Sequence, residues 1–141
     1  MPTETSGKQE KELTKISKEA LTSFQEHKQQ IIIETVNRSL QRPEEVEHHG
    51  QKARDILTAG LGFMTQNLEV AMTLGEVTFL EDQLNWARDR LPHDGVSMEH
   101  LLSRFKIYRD VVKETMSRKH SDEVIKYIDW MIEHQQKNIE K

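Results

Sequence analysis

Cysteine is absent from this chain of 141 residues. Its absence excludes disulfides, thiolate zinc centres, iron–sulfur clusters and cysteine nucleophiles. It is compatible with a reducing compartment, and we expect a cytoplasmic protein. Long apolar runs are missing as well. None approaches the roughly 20 residues needed to span a bilayer. The polar start, Met1 to Glu12, lacks the apolar stretch of a signal peptide. Residues 1–9 read as a flexible tail ahead of a single domain over 10–141. With only 3 prolines and 6 glycines, few breaks interrupt the chain. Positive charge is not in excess: the net charge of −4 disfavours a nucleic-acid partner. No membrane partner is expected either.

Catalytic signatures are also lacking. There is no glycine-rich phosphate loop, no Gly-x-Ser-x-Gly elbow and no evident carboxylate pair, so an enzyme is not expected. Glu99 and His100 are neighbours in sequence, but adjacent positions on a helix do not face each other. They read as ordinary first-turn residues.

The chain does contain helical periodicity. Leu13, Ile16, Ala20, Phe24 and Ile31 share one side of a first helix starting near Glu10. Ile31-Ile32-Ile33 then spreads apolar groups over several faces, either as a kink or as a segment buried on two sides. Gln41-Arg42-Pro43 ends this helix. Pro43 suits the first turn of the next, with Glu44 and Glu45 near its positive dipole end. That second helix carries Val46, Ala53, Ile56, Leu57, Met64, Leu68 and Ala71. Gly60 and Gly62 interrupt it at about 1 kcal/mol each relative to Ala. Close approach of another helix would explain them, and a kink is the alternative.

A third helix runs from Glu76 to Leu91 on the stripe Val77, Leu80, Leu84, Ala87 and Leu91. It is either separate or a bent continuation through Leu74-Gly75. Pro92-His93-Asp94-Gly95 is a turn by composition. The stretch Gly95-Val96-Ser97-Met98 starts the fourth helix, with the Ser97 hydroxyl offered to free backbone N–H groups. Leu101, Leu102, Phe105, Tyr108, Val112 and Met116 follow. Ser121 is a second cap candidate, opening a last helix with Val124, Ile128, Met131 and Ile132. Five helical segments without a strand pair predict an all-α, globin-like helical bundle.

Some apolar groups fall away from these stripes. Phe79 and Trp86 share a face roughly 120° from the Leu80/Leu84 stripe at about 100° per residue. Tyr127, Trp130 and His134 share a face pointing away from Ile128 and Ile132, and Ile107 and Val111 behave alike on the fourth helix. Three readings fit: helices buried on two sides, a subunit interface, or an apolar ligand pocket. Phe79, Trp86, Tyr127, Trp130 and His134 are the candidate interface or pocket residues.

Seven histidines raise the question of a metal or haem. Glu45 and His48 form one Glu-x-x-His pair, but a carboxylate-bridged di-iron bundle needs two. His48 and His49 point in different directions on a helix. A globin holds its iron through a proximal histidine, and Glu76 to Leu91 contains none. His93 lies just beyond it. No cofactor is expected. Lys106, Arg109 and Lys113 form a short basic stripe, read as a solvated face balanced by Asp110 and Glu114.

The run Gly95-Val96-Ser97-Met98, followed by Leu101-Leu102, Phe105 and Tyr108, resembles the N-terminal sensor domain of RsbR-type stressosome proteins. So does the final helix Tyr127-Ile128-Asp129-Trp130-Met131-Ile132-Glu133-His134. The resemblance covers roughly residues 44–134. It implies a non-haem globin fold, a homodimer and protein partners in a signalling complex. The family's phosphorylation sites do not carry over, because the segments that bear them have no counterpart here. A second resemblance, to cobalamin-dependent photoreceptor regulators, rests on a Trp followed by Glu-His. Here twelve residues separate Trp86 from Glu99-His100 and include the turn at Pro92 to Gly95, which puts them on different helices. The alternative function is thus a bundle binding haem, cobalamin or another small molecule.

Overall fold

The computed structural model describes residues 13–43 and 50–140. They form an all-α bundle of five helices: α1 (Lys18–Leu40), α2 (Ala53–Leu74), α3 (Thr78–Arg90), α4 (Met98–Thr115) and α5 (Arg118–Glu140). A short 3-10 turn over Gly50–Lys52 precedes α2, and another over Leu91–Asp94 joins α3 to α4. The expected tail over residues 1–9 and the Glu45/His48 pair lie outside the described residues.

α5 is the organising helix. It packs against α4, α1, α3 and α2, while α1 also packs against α2 and α4. One continuous core results, with Phe24, Ile31, Leu68, Met72, Leu80, Tyr108 and Ile128 almost fully enclosed. Within the triple isoleucine, helix α1 runs on without interruption. Ile31 and Ile32 are buried and Ile33 is exposed, so the segment is covered on two sides.

The helix ends follow from local chemistry. Ser97 has extended backbone, and its hydroxyl accepts from the His100 N–H, as expected of a cap. Gly95 occupies the left-handed region at φ 83°, where a side chain would be strained. Two boundaries differ from expectation, and one left open is decided. α1 begins at Lys18, not near Glu10: Ser17 is the cap and accepts from Ala20 N–H. Leu13 and Ile16 precede the helix and still pack against the core. α5 begins at Arg118, so Ser121 is not its cap. Ser121 is buried inside the first turn, and its hydroxyl donates to the Arg118 carbonyl. α2 and α3 are separate helices: Gly75, at φ 79°, closes α2 with its N–H on the Ala71 carbonyl.

Gly60 and Gly62 do not interrupt α2, which is continuous through both. A methyl group built on each would meet nothing within 4 Å.

Ion pairs tie neighbouring helices at the surface. Arg38 of α1 grips both carboxylate oxygens of Glu114 on α4, at 2.6 and 3.2 Å. Lys28 of α1 reaches Glu69 of α2 at 2.9 Å, and Arg109 of α4 reaches Asp129 of α5 at 2.5 Å. The basic stripe of α4 is therefore split: Arg109 is engaged by Asp129, while Lys106 and Lys113 face solvent. Among the described residues no helix is long and apolar enough to cross a membrane.

Candidate apolar groove between two helices

A half-open groove of about 240 Å³ lies between α2 and α3. Its walls are Leu57, Leu61 and Met64 of α2 and Leu80, Leu84 and Ala87 of α3. Phe105 of α4 and Met131 of α5 close it from below. Each of these side chains is buried, because each sits on the inward stripe of its helix at a spacing of three or four residues. Gly60 adds no side chain to the wall, which keeps the groove open on that side.

Large apolar groups stand at the mouth. Ile56, Phe63 and Trp86 line it and are about half exposed, Trp86 by 55%. Three polar side chains, Asn67, Gln83 and Arg104, also line the groove, and Asn67 and Arg104 are buried. Mostly apolar walls with a few polar groups are the general make-up of a small-molecule site. The volume exceeds the ~150 Å³ of an apolar cavity that takes up benzene.

The five residues singled out in the sequence divide into two groups. Trp86 lines the groove mouth, and Phe79 is 38% exposed on the same face of α3. Tyr127, Trp130 and His134 are buried within this chain. The Trp130 and His134 rings stack with centroids 4.9 Å apart. His134 Nε2 donates to Asn85 Oδ1 of α3 at 2.9 Å, and the Tyr127 hydroxyl donates to the Thr14 carbonyl at 2.9 Å. The aromatic face of α5 is thus covered from inside. Ile107 is partly buried against the core and Val111 fully so.

The residues that sequence reasoning missed are on α2. Ile56, Phe63, Val70 and Leu74 are 43–55% exposed. A signal was present: Ile56, Gly60, Phe63, Asn67, Val70 and Leu74 alternate by four and three, which is the spacing of a single helical seam. Ile56, expected on the buried stripe of this helix, lies one residue off it and is 43% exposed.

Among the described residues no histidine lines the groove. His93 is exposed in the turn after α3, so a haem seated here would find no imidazole ligand among the lining residues. Among the described residues no three His, Asp or Glu side chains are grouped to hold a metal ion. The sequence matches no protein-family model and no curated protein.

Proposed function

We propose that this protein is a non-catalytic regulatory module that takes up an apolar small molecule in the groove between α2 and α3. The observation that carries the reading is the groove itself: buried aliphatic walls, open to the surface beside Trp86. Removing apolar ligand surface from water contributes about 25 cal/mol per Å². In this reading the protein is a globin-like, non-haem sensor acting as a homodimer in the cytoplasm. A ligand shifts the packing of α2 against α3, and the shift is passed to a protein partner of a signalling complex. Such a ligand acts only if it binds two packings unequally. The likeness of the Gly95–Tyr108 and Tyr127–His134 segments to the stressosome sensor supports the regulatory half of this reading. Among the described residues the lining offers aliphatic and aromatic groups and no histidine, which favours a ligand that needs no axial coordination over haem or cobalamin.

The test is a titration with N-phenyl-1-naphthylamine, a neutral apolar dye whose emission rises on leaving water. Saturable one-to-one binding is expected, with quenching of Trp86. Ala87→Leu, which fills the α3 wall, weakens binding about tenfold or more. A dye signal that never saturates, or that Ala87→Leu leaves unchanged, overturns the assignment.

A further inference from the structure

The outer face of α2 has four unusual properties at once. Its exposed apolar residues Ile56, Phe63, Val70 and Leu74 lie on the single seam described above. No charged residue occurs from Ile56 to Leu68, in a chain that is 31% charged. Gly60 and Gly62 sit in the helix interior at a cost in helix propensity, and among the described residues a methyl group on either would meet nothing within 4 Å. Finally, Phe79 and Trp86 of the neighbouring α3 are also 38–55% exposed, and six such large apolar residues amount to several hundred Å², against the ~800 Å² per partner that a standard interface buries.

We infer that α2 is the contact helix of a homodimer, packing its Ile56–Leu74 seam against α2 of a second copy. This rests on the dimeric part of the reading above and moves the interface from α5 to α2. A two-fold contact joins a patch to itself and so requires self-complementarity. An uncharged apolar seam satisfies that requirement, because it places no like charges in apposition. The chain's own undescribed segments are a poor cover by their chemistry, since residues 1–12 and 44–49 hold no large apolar side chain besides Met1 and Val46. Gly60, which lies on the seam, then acquires a reason: without a side chain it lets the second helix come close and leaves a hole for one of its apolar knobs. Ile56 and Phe63 belong both to the seam and to the groove mouth, so the second copy's α2 also covers the open side of the groove.

Sedimentation equilibrium on the full chain tests the contact. A species of twice 16.6 kDa is expected at micromolar concentration. Val70→Glu places a charge on the seam outside the groove lining, and it raises the dimer dissociation constant about tenfold or more. Its helical circular dichroism matches the parent protein, because Val70 is already 43% exposed. The cysteine-free background gives a second readout. Single cysteines at Ala59, Gln66 and Thr73, exposed and seven apart along one flank of the seam, report on the contact, and Lys126→Cys on α5 is the control. At least one α2 cysteine forms a disulfide-linked dimer and Lys126→Cys does not. A monomeric parent, a dimer indifferent to Val70→Glu, or cross-linking at Lys126 alone overturns the inference. Dye binding to the groove is measured separately in Val70→Glu, so loss of the dimer contact and loss of the groove assignment are distinguishable.

Discussion

Trp130 and His134 lie face to face one turn apart on α5, with ring planes within 8° and centroids 4.9 Å apart. The stack joins two helices, because His134 also donates to Asn85 of α3. Asn85 directly precedes Trp86, so this hydrogen bond helps fix the α3 wall of the groove to the centre of the bundle. Trp130→Ala is expected to cost about 3–5 kcal/mol of folding stability, as for other buried aromatic truncations. His134→Phe keeps the ring contact and loses the hydrogen bond, at about 1 kcal/mol. Urea denaturation measures both. If Trp130→Ala leaves the unfolding midpoint unchanged, the ring is not holding α5 to the core.

Two glycines of α2 make opposite predictions. Gly75 is at φ 79°, and a methyl group there would come 2.7 Å from the Lys15 side chain and 3.2 Å from the Leu13 carbonyl oxygen. Gly75→Ala therefore costs about 1–2 kcal/mol for the left-handed backbone, with crowding in addition. Gly60 has ordinary helical backbone and empty space around it. Gly60→Ala raises the helix propensity of α2 by about 1 kcal/mol. Thermal melts of the two variants should move in opposite directions, the Gly60 variant being read at a concentration where the protein is monomeric. A stabilised Gly75→Ala would show that the turn does not need its positive φ.

Local signals in the sequence were strong enough to place most of the helices. Ser97 and Gly95 mark the start of α4 because a cap and a left-handed turn depend on residues close by in sequence. The start of α1 was not readable in the same way. Ser17 is held there by Glu123, 106 positions away: the Ser17 N–H donates to Oε1 at 2.6 Å and its hydroxyl to Oε2 at 2.9 Å. These bonds hold the Glu123 carboxyl below its usual pKa, the Ser17 backbone N–H being the main cause. The aromatic face of α5 shows a second limit. Periodicity reports that Tyr127, Trp130 and His134 share a side, but not that neighbouring helices of the same chain cover it. α2 shows the converse, since its outer seam follows the same spacing rule and has no cover within the described residues. The groove depends on the gap between α2 and α3, which no single helix encodes.

The chain's two tyrosines give the last prediction. Tyr108 is fully enclosed in the core, and burial pushes its hydroxyl well above the usual pKa of about 10. Its partner is Thr65 at 2.8 Å. The Thr65 hydroxyl proton goes to the Leu61 carbonyl, so Tyr108 acts as donor to the Thr65 oxygen. Tyr127 is raised as well, first by burial and then by the charge of Glu76. In the unfolded chain both would ionise near 10. Above that pH the folded state holds more protons than the unfolded one, so stability falls as pH rises. The stabilisation is complete below the unfolded value and is lost through the raised, folded values. An alkaline titration should therefore show little tyrosinate absorbance while the helices are intact. Tyrosinate should then appear together with the loss of circular dichroism. Tyr108→Phe costs about 0.5–1.5 kcal/mol at neutral pH and makes the alkaline decline shallower. A tyrosine ionising near 10 in the still-folded protein would contradict the enclosure of these rings in the core.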